Sequence, residues 1–264
     1  MLVGLAIAGA LLFPALASAA PSPPGANDWS CKPGRAHPRP VVLVHGTFAN
    51  RFDNWLYLSP RIKAAGYCVF ALDYGAYGVS RVLGIFGLGP IARSAEELRA
   101  FVNRVLAATH AKRVDIVGHS QGGMMPRQYL KFLGGTKKVD DLIGLVPSNH
   151  GTDNPLAPPL GLTCPACAEQ ATGSAFLRTL NAGDETPGRV SYTVITTTHD
   201  EVVTPYTSAL LARGPRTTNV VVQTRCPLDL SEHLVIAYDP VALQYVLDAL
   251  RRPGPASARL APRC

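Results

Sequence analysis

Residues 118–122 read Gly-His-Ser-Gln-Gly, and the sequence on either side restricts what this part of the chain can form. The β-branched run Val114 to Val117 precedes the motif, and a helical pattern from Met124 to Leu133 follows it. A G-x-S-x-G sequence between a strand and a helix is typical of a nucleophile elbow, in which a strained turn lifts the serine hydroxyl clear of the sheet. The pattern predicts this turn, with Ser120 as a nucleophile whose hydroxyl stands clear of the sheet. The alternative interpretation is an ordinary serine in a glycine-rich turn.

Apolar runs bounded by turn residues alternate with helical patterns along the whole chain, which favours βαβ units and a mostly parallel sheet. Strands are predicted over 41–44, 67–72, 113–117, 142–146, 190–197 and 220–223, and helices over 55–65, 94–109, 124–133, 174–180 and 240–251. Ser94, followed by Glu96 and Glu97, is expected to be an N-cap. With 264 residues and 47% hydrophobic composition, the chain can bury one full core. We therefore expect one α/β domain over 29–264, with helices on both faces of the sheet.

Two long segments, 75–90 and 149–173, fit no regular element. Both follow the carboxyl ends of predicted strands, where open α/β sheets place their ligands. Long loops in a compact domain are often functional, so these segments are expected to border a binding site. Plain surface connection is the alternative.

The first twenty residues carry no charged side chain and contain an apolar run followed by Ala17-Ser18-Ala19-Ala20. This arrangement predicts a signal peptide over 1–20 and a secreted protein. The usual basic residue near the start is missing, so an uncleaved anchor is the alternative. After signal cleavage no stable membrane insertion is expected. Residues 21–28, which are rich in proline, are predicted to form a flexible leader.

The chain has six cysteines, an even number that fits an oxidising compartment. Their order along the chain, and the advantage of fixing both termini, suggest the pairs Cys31 with Cys68, Cys164 with Cys167, and Cys226 with Cys264. The C-x-x-C sequence at 164–167 could also be half of a zinc site or a redox pair. No second cysteine or histidine pair has matching spacing, so we expect a structural disulfide and no metal.

The formal net charge is +7, but lysine and arginine are scattered along the sequence. Aromatic residues do not interleave with them, and no nucleic-acid module is recognisable. A nucleic-acid partner is therefore not expected. The charge is better explained by a cationic surface with some attraction to anionic interfaces.

A serine nucleophile needs a histidine base and an acid that orients the base. When the elbow serine comes first, the acid and then the histidine follow in the chain. Asp200, just after a predicted strand, and His233 fit this order. Glu201 is the main alternative acid. His150 and His199 are weaker candidates for the base, because the first precedes the acid and the second is adjacent to it.

The sequence His-Gly-Thr-Phe at 45–48 follows the first predicted strand, where a loop for stabilising an oxyanion is expected. Its glycine frees the turn so that a main-chain N–H can face the site. Thr47 is the expected first donor, with Phe48 as the alternate, and the second donor is the N–H of Gln121. The hydroxyl of Thr47 is available to add a third hydrogen bond. An ordinary turn is the alternative interpretation.

Apolar side chains near these positions suggest an acyl pocket, although core packing explains each of them equally well. The candidate substrate-binding residues are Phe48, Ile85, Phe86, Leu156, Leu160, Val203 and Leu234.

Several segments together resemble one family: 41–48, 118–123, 173–177, 200–203 and 232–234. They are similar to secreted bacterial lipases and esterases of the actinobacterial type, close to the class 2 lipases of the α/β-hydrolase superfamily. The resemblance covers nearly everything from Trp29 onward. It implies an α/β-hydrolase fold and hydrolysis of carboxylic esters without a cofactor.

The partner implied is an ester or lipid substrate at a lipid–water interface, and we expect a monomer. Other serine chemistry uses the same residues, so a polyester depolymerase, a thioesterase and an acyltransferase remain alternatives. A noncatalytic secreted binding protein with the same fold is a further alternative from another class.

Overall fold

The computed structural model describes residues 21–264, and its centre is a six-stranded parallel sheet in the order β2-β1-β3-β4-β5-β6. The strands are β1 (Val41–Val44), β2 (Val69–Leu72), β3 (Val114–His119), β4 (Val139–Leu145), β5 (Ser191–Thr196) and β6 (Thr217–Val221). The predicted parallel α/β architecture is therefore confirmed. The predicted signal peptide at 1–20 lies outside the described residues.

The register between β1 and β3 places the loops that carry Thr47 and Ser120 side by side. In β1 and β3, Val44 pairs with Gly118. Because parallel strands end at the same edge of the sheet, the turn that follows β1 and the turn that carries Ser120 leave it next to each other. All four residues of β1 are buried, as expected for a central strand covered on both faces.

Helices cover both faces of the sheet, as predicted. They are α1 (Leu58–Ala64), α2 (Ser80–Leu83), α3 (Ile91–Thr109), α4 (Gln121–Phe132), α5 (Pro165–Glu169), α6 (Ala175–Asn181) and α7 (Pro240–Arg251). The long helices α3 and α4 pack with Val42 and Val44, whereas α1 and α7 pack on the other face with Val41 and Leu43. Alternate residues of one strand thus supply two separate cores.

The start of α3 differs from the sequence prediction. The helix begins at Ile91, and Ser94 lies inside it, fully buried, with its hydroxyl donating to the carbonyl of Pro90. The carboxylate of Glu169 accepts the N–H of Ile91 at 2.6 Å. A side chain far away in sequence therefore caps this helix, and for that reason the local pattern around Ser94 was misleading.

Residues 21–28, predicted to form a flexible leader, make specific contacts with the edge of the sheet. Asn27 donates its main-chain N–H to Val69, and its side chain bonds both the N–H and the carbonyl of Ala71. Ala26 forms a parallel bridge with Val69. These contacts cover the outer edge of β2, where unpaired main-chain groups would otherwise face solvent.

The three disulfides are those predicted: Cys31–Cys68, Cys164–Cys167 and Cys226–Cys264. The first and third close loops of 37 and 38 residues near the two ends of the described chain. In the described part of the chain, helices long and apolar enough to cross a bilayer are absent.

Candidate active site

The turn between β3 and α4 has the backbone of a nucleophile elbow. Ser120 has φ 55° and ψ −125°, a conformation that costs energy for any residue with a Cβ. A Cβ on Gly118 would lie 1.8 Å from the carbonyl oxygen of Gly122, so the first glycine lets the helix fold back closely over the strand. The turn holds Ser120 at the carboxyl edge of the sheet, with its hydroxyl at the wall of a cavity.

Three side chains from distant parts of the chain meet at this turn. His233 Nε2 lies 2.9 Å from Ser120 Oγ, and His233 Nδ1 lies 2.8 Å from Asp200 Oδ1. Asp200 Oδ1 also accepts the N–H groups of Val202 and Val203 at 3.0 and 2.8 Å. The aspartate is thereby held as an acceptor, which requires the proton of His233 on Nδ1 and leaves Nε2 to receive one from serine.

The competing candidates lie elsewhere. Glu201 contacts the main-chain N–H of His233 at 3.4 Å and does not reach its ring. His150 contacts Glu185 at 2.9 Å, and His199 is exposed. The geometry therefore brings Asp200 and His233 to Ser120 and leaves the other candidates out.

His119, the neighbour of Ser120, connects the two sides of the site. Its Nε2 lies 2.8 Å from the carbonyl oxygen of His233, and its Nδ1 lies 3.0 Å from Oδ1 of Asn54. The same Asn54 oxygen accepts the N–H of Gly46 at 2.9 Å. Burial lowers the pKa of His119 to about 3, and repulsion from a protonated His233 ring would lower it further. Sequence reasoning missed both His119 and Asn54, since no local pattern marks either contact.

The loop after β1 presents main-chain donors to the same cavity. In residues 21–264, the N–H groups of Thr47 and Phe48 have no protein acceptor, so both candidate donors stay open. Phe48 has φ 61°, which shows that this loop is strained. Gln121 is the first residue of α4, where an N–H has no acceptor within the helix. Together these groups can receive an oxyanion next to Ser120.

Behind this loop, His45 is fully buried and stacks on Tyr74 at 4.4 Å. Burial lowers the pKa of His45 to about 4. The hydroxyl of Tyr74 donates to the carbonyl of His45 at 2.7 Å. His45 is thus a neutral packing residue that supports the loop from below.

A largely apolar cavity of about 420 Å³ opens beside Ser120 and His233. Five of the seven predicted substrate-binding residues line it: Phe48, Leu156, Leu160, Val203 and Leu234. Ile85 and Phe86 do not, which corrects the prediction. Phe86 is buried behind the loop, and its N–H donates to the carbonyl of Ala49. Ile85 packs partly buried against the core. The cavity wall also includes Thr152, Ala157, Cys167, Gln170 and Val202.

In the described chain, one cluster of carboxylates has ligand atoms close enough to hold a metal: Asp115, Asp140 and Asp141. The guanidinium of Arg39 lies among them, 2.8 Å from Asp115 and 3.1 Å from Asp140. This cluster is at the opposite end of β3 and β4 from Ser120, and Arg39 supplies its positive charge.

Comparison with known proteins gives a family match over most of the chain. The family model described as Lipase (class 2) matches residues 38–246. A triacylglycerol lipase of Pseudarthrobacter phenanthrenivorans is 37% identical over 93 residues, which is 33% of this chain and 27% of the relative. A triacylglycerol lipase of Burkholderia plantarii is also 37% identical over 93 residues, 24% of its own length. The chain thus spans about a quarter of these curated relatives.

Solved structures give the same result for the fold. Aspergillus fumigatus lipase B superposes with a TM-score of 0.74 at 26% identity, over 90% of this chain and 58% of that one. The mature form of a Bacillus licheniformis lipase superposes with a TM-score of 0.59 at 18% identity, over 83% of this chain and 94% of that one. The second likeness establishes the fold alone, and that fold is the α/β-hydrolase fold.

Proposed function

The chain belongs to the class 2 lipase family, and from this premise we propose that it is a serine hydrolase that cleaves carboxylic esters of lipids. The observation that carries the proposal is the line of contacts from Asp200 through His233 to Ser120, at 2.8 and 2.9 Å. A serine, a histidine and an acid in this order of contact form the relay that activates an alcohol as a nucleophile.

The proposed reaction proceeds through an acyl-enzyme. Ser120 Oγ attacks the ester carbonyl carbon while His233 Nε2 takes the serine proton, and the N–H groups of Thr47 and Gln121 donate to the resulting oxyanion. His233 then protonates the alkoxide as the carbon–oxygen bond to it breaks, and the alcohol leaves. Water repeats the sequence with the same base and releases the acid. Asp200 keeps its charge and stabilises the imidazolium form of His233.

The wall of the cavity supports an apolar acyl group as the substrate. Phe48, Leu156 and Leu234 lie at its rim and are more than half exposed, at 54%, 65% and 64%. Exposed apolar side chains around the mouth of a cavity favour contact with an aggregated lipid. This supports a triacylglycerol or similar ester at a lipid–water interface, and both relatives named above are triacylglycerol lipases.

The test uses the Ser120→Ala variant and p-nitrophenyl esters from acetate to palmitate. We expect wild-type protein to hydrolyse the series, and the preferred chain length should report how long an acyl group the cavity accepts. Ser120→Ala should lose nearly all turnover while its thermal unfolding is unchanged. A fluorophosphonate should label Ser120 in the wild type only. Unchanged hydrolysis by Ser120→Ala, or wild-type protein that neither reacts with the probe nor cleaves any ester, would refute the proposal.

We also propose that the protein is secreted as a monomer after removal of residues 1–20. The three disulfides support an oxidising compartment. Mass spectrometry of protein from the culture medium should show an amino terminus near Pro21, and light scattering should give the mass of one chain. An intact amino terminus that stays with the membrane fraction would contradict export.

A further inference from the structure

Gln170 is a buried glutamine at the wall of the cavity, directly after α5. Only 7% of its surface is exposed, and it belongs to none of the motifs recognised in the sequence. The disulfide Cys164–Cys167 spans the first turn of α5, and the sulfur of Cys164 accepts the N–H of Cys167. Gln170 therefore directly follows a short helix whose first turn is closed by a disulfide.

Neighbouring groups fix the orientation of the Gln170 side-chain amide. Nε2 lies 3.1 Å from the carbonyl oxygen of Ala166, which can only accept, so the NH₂ group must face it. Oε1 accepts the hydroxyl of Ser148 at 2.8 Å. The second hydrogen of Nε2 then points at Thr47 Oγ1, which lies 3.0 Å away. Gln170 is thus a hydrogen-bond donor to this hydroxyl.

The same hydroxyl receives a second N–H donor. Gln121 Nε2 lies 3.0 Å from Thr47 Oγ1 and 2.9 Å from the carbonyl oxygen of Gly87, and this carbonyl again requires the NH₂ group to face it. A hydroxyl oxygen has two lone pairs, and two N–H donors now occupy both. The hydroxyl of Thr47 can only donate its own proton, and among residues 21–264 no acceptor receives it.

We propose that Gln170 is a positioning residue of the oxyanion hole, which aims the Thr47 hydroxyl proton into the cavity as a third donor. The inference rests on the proposed ester hydrolysis, since it concerns the same oxyanion. Donors already oriented before the reaction need no reorganisation when negative charge develops on the ester oxygen. Gln170 itself does not touch the substrate. It acts by donating to the oxygen of the Thr47 hydroxyl, which leaves that hydroxyl only its own proton to donate.

The Gln170→Glu variant tests this inference because it keeps the shape of the side chain and reverses its polarity. A carboxylate accepts the Thr47 proton and withdraws it from the cavity. We expect kcat for a p-nitrophenyl ester to fall about 100-fold with little change in KM, as in Thr47→Val. Gln170→Leu removes this donor and frees the Thr47 hydroxyl to rotate, so its kcat should fall about tenfold. Thr47→Ser keeps the hydroxyl and should therefore retain a higher kcat than Thr47→Val.

Gln244→Glu, on α7, is the matched control for the change of charge, and its kcat should equal that of the wild type. Thermal unfolding of each variant separates loss of fold from loss of rate. In a Thr47→Val background, neither change at Gln170 should lower kcat further, because the hydroxyl to be positioned is gone. A purely structural role would instead lower kcat by the same factor in both backgrounds.

If Gln170→Glu folds and keeps wild-type kcat, or if the losses at positions 47 and 170 multiply, the inference is wrong while ester hydrolysis stands. Should Gln170→Glu fail to fold, Gln170→Leu in the two backgrounds decides the same question. Wild-type protein without esterase activity would instead remove the proposed function itself. The two failures are therefore distinguishable.

Discussion

A Cβ on Gly122 would lie 2.1 Å from the carbonyl oxygen of Val44, so the first turn of α4 packs directly against the end of β1. The neighbouring carbonyl of His45 would be only 2.4 Å away. The second glycine of the motif thus sets the distance between the elbow and the loop that carries Thr47. Both halves of the proposed oxyanion hole depend on this contact.

Gly122→Ala should therefore destabilise the protein strongly. The added methyl group meets main-chain oxygens, which cannot move without displacing β1, and we expect a loss of at least about 3 kcal/mol in the free energy of unfolding. Gly34→Ala is the matched control, since its Cβ would have no neighbour within 4 Å. Urea unfolding measures both. Equal stability of the two variants would contradict the close packing.

Asp200→Asn should lower kcat by about 10⁴-fold, because an amide can donate to His233 Nδ1 and so stabilises the tautomer that cannot accept the serine proton. Glu201→Gln should cost far less, since Glu201 touches only the main-chain N–H of His233. Ester hydrolysis at a saturating substrate concentration compares the two variants. A larger loss for Glu201→Gln would assign the acid role to Glu201.

Stability should depend on pH through His119. Its folded pKa of about 3 lies below the ordinary value of 6.5, so between these values the unfolded chain binds the extra proton. The neutral ring makes its full contribution to the free energy of unfolding above about pH 6.5, and this contribution is lost as the pH falls toward 3. The difference in unfolding free energy between wild type and His119→Gln should shrink by about 1.4 kcal/mol per pH unit in this range. The His119→Gln variant itself should lack this part of the pH dependence.

The sequence predicted most of the proposed site because elbow, acid and base each lie in a local pattern whose order along the chain is fixed by the fold. It did not predict Gln170 or Asn54. Gln170 meets Thr47 across 123 residues, and Asn54 meets His119 across 65. Such contacts depend on how loops pack against each other, which no spacing rule encodes. Phe86 was wrongly placed in the cavity for the same reason, since an apolar residue in a loop does not reveal which side it packs on.

Arg39 should be essential to stability although it lies far from Ser120. Burial raises the pKa of both Asp115 and Asp141, and Arg39 opposes that shift. Since both folded pKa values lie above the unfolded ones, the ionised carboxylates destabilise the fold as the pH rises. Arg39→Met should lose about 3 kcal/mol or more near pH 8, and less near pH 6. Asp141→Asn, whose Oδ1 has no partner in the described structure, should be neutral or stabilising near pH 8. Urea unfolding at both pH values tests the two variants.

We expect Cys164–Cys167 to matter mainly for kcat, and the two disulfides that close long loops to matter mainly for the free energy of unfolding. Loop-closure entropy predicts that losing the 38-residue loop of Cys226–Cys264 costs about 4 kcal/mol, whereas the short loop of Cys164–Cys167 contributes about half of that. Cys164–Cys167, however, ties down the helix that carries Gln170. Replacing both of its cysteines by serine should lower kcat about tenfold, the loss expected for a freely rotating Thr47 hydroxyl, with a modest drop in melting temperature. The Cys226→Ser, Cys264→Ser variant should show the reverse. Its melting temperature should fall strongly, and at temperatures where it is still folded its kcat should equal that of the wild type. Equal kcat in both variants would mean that α5 holds Gln170 in place without its disulfide.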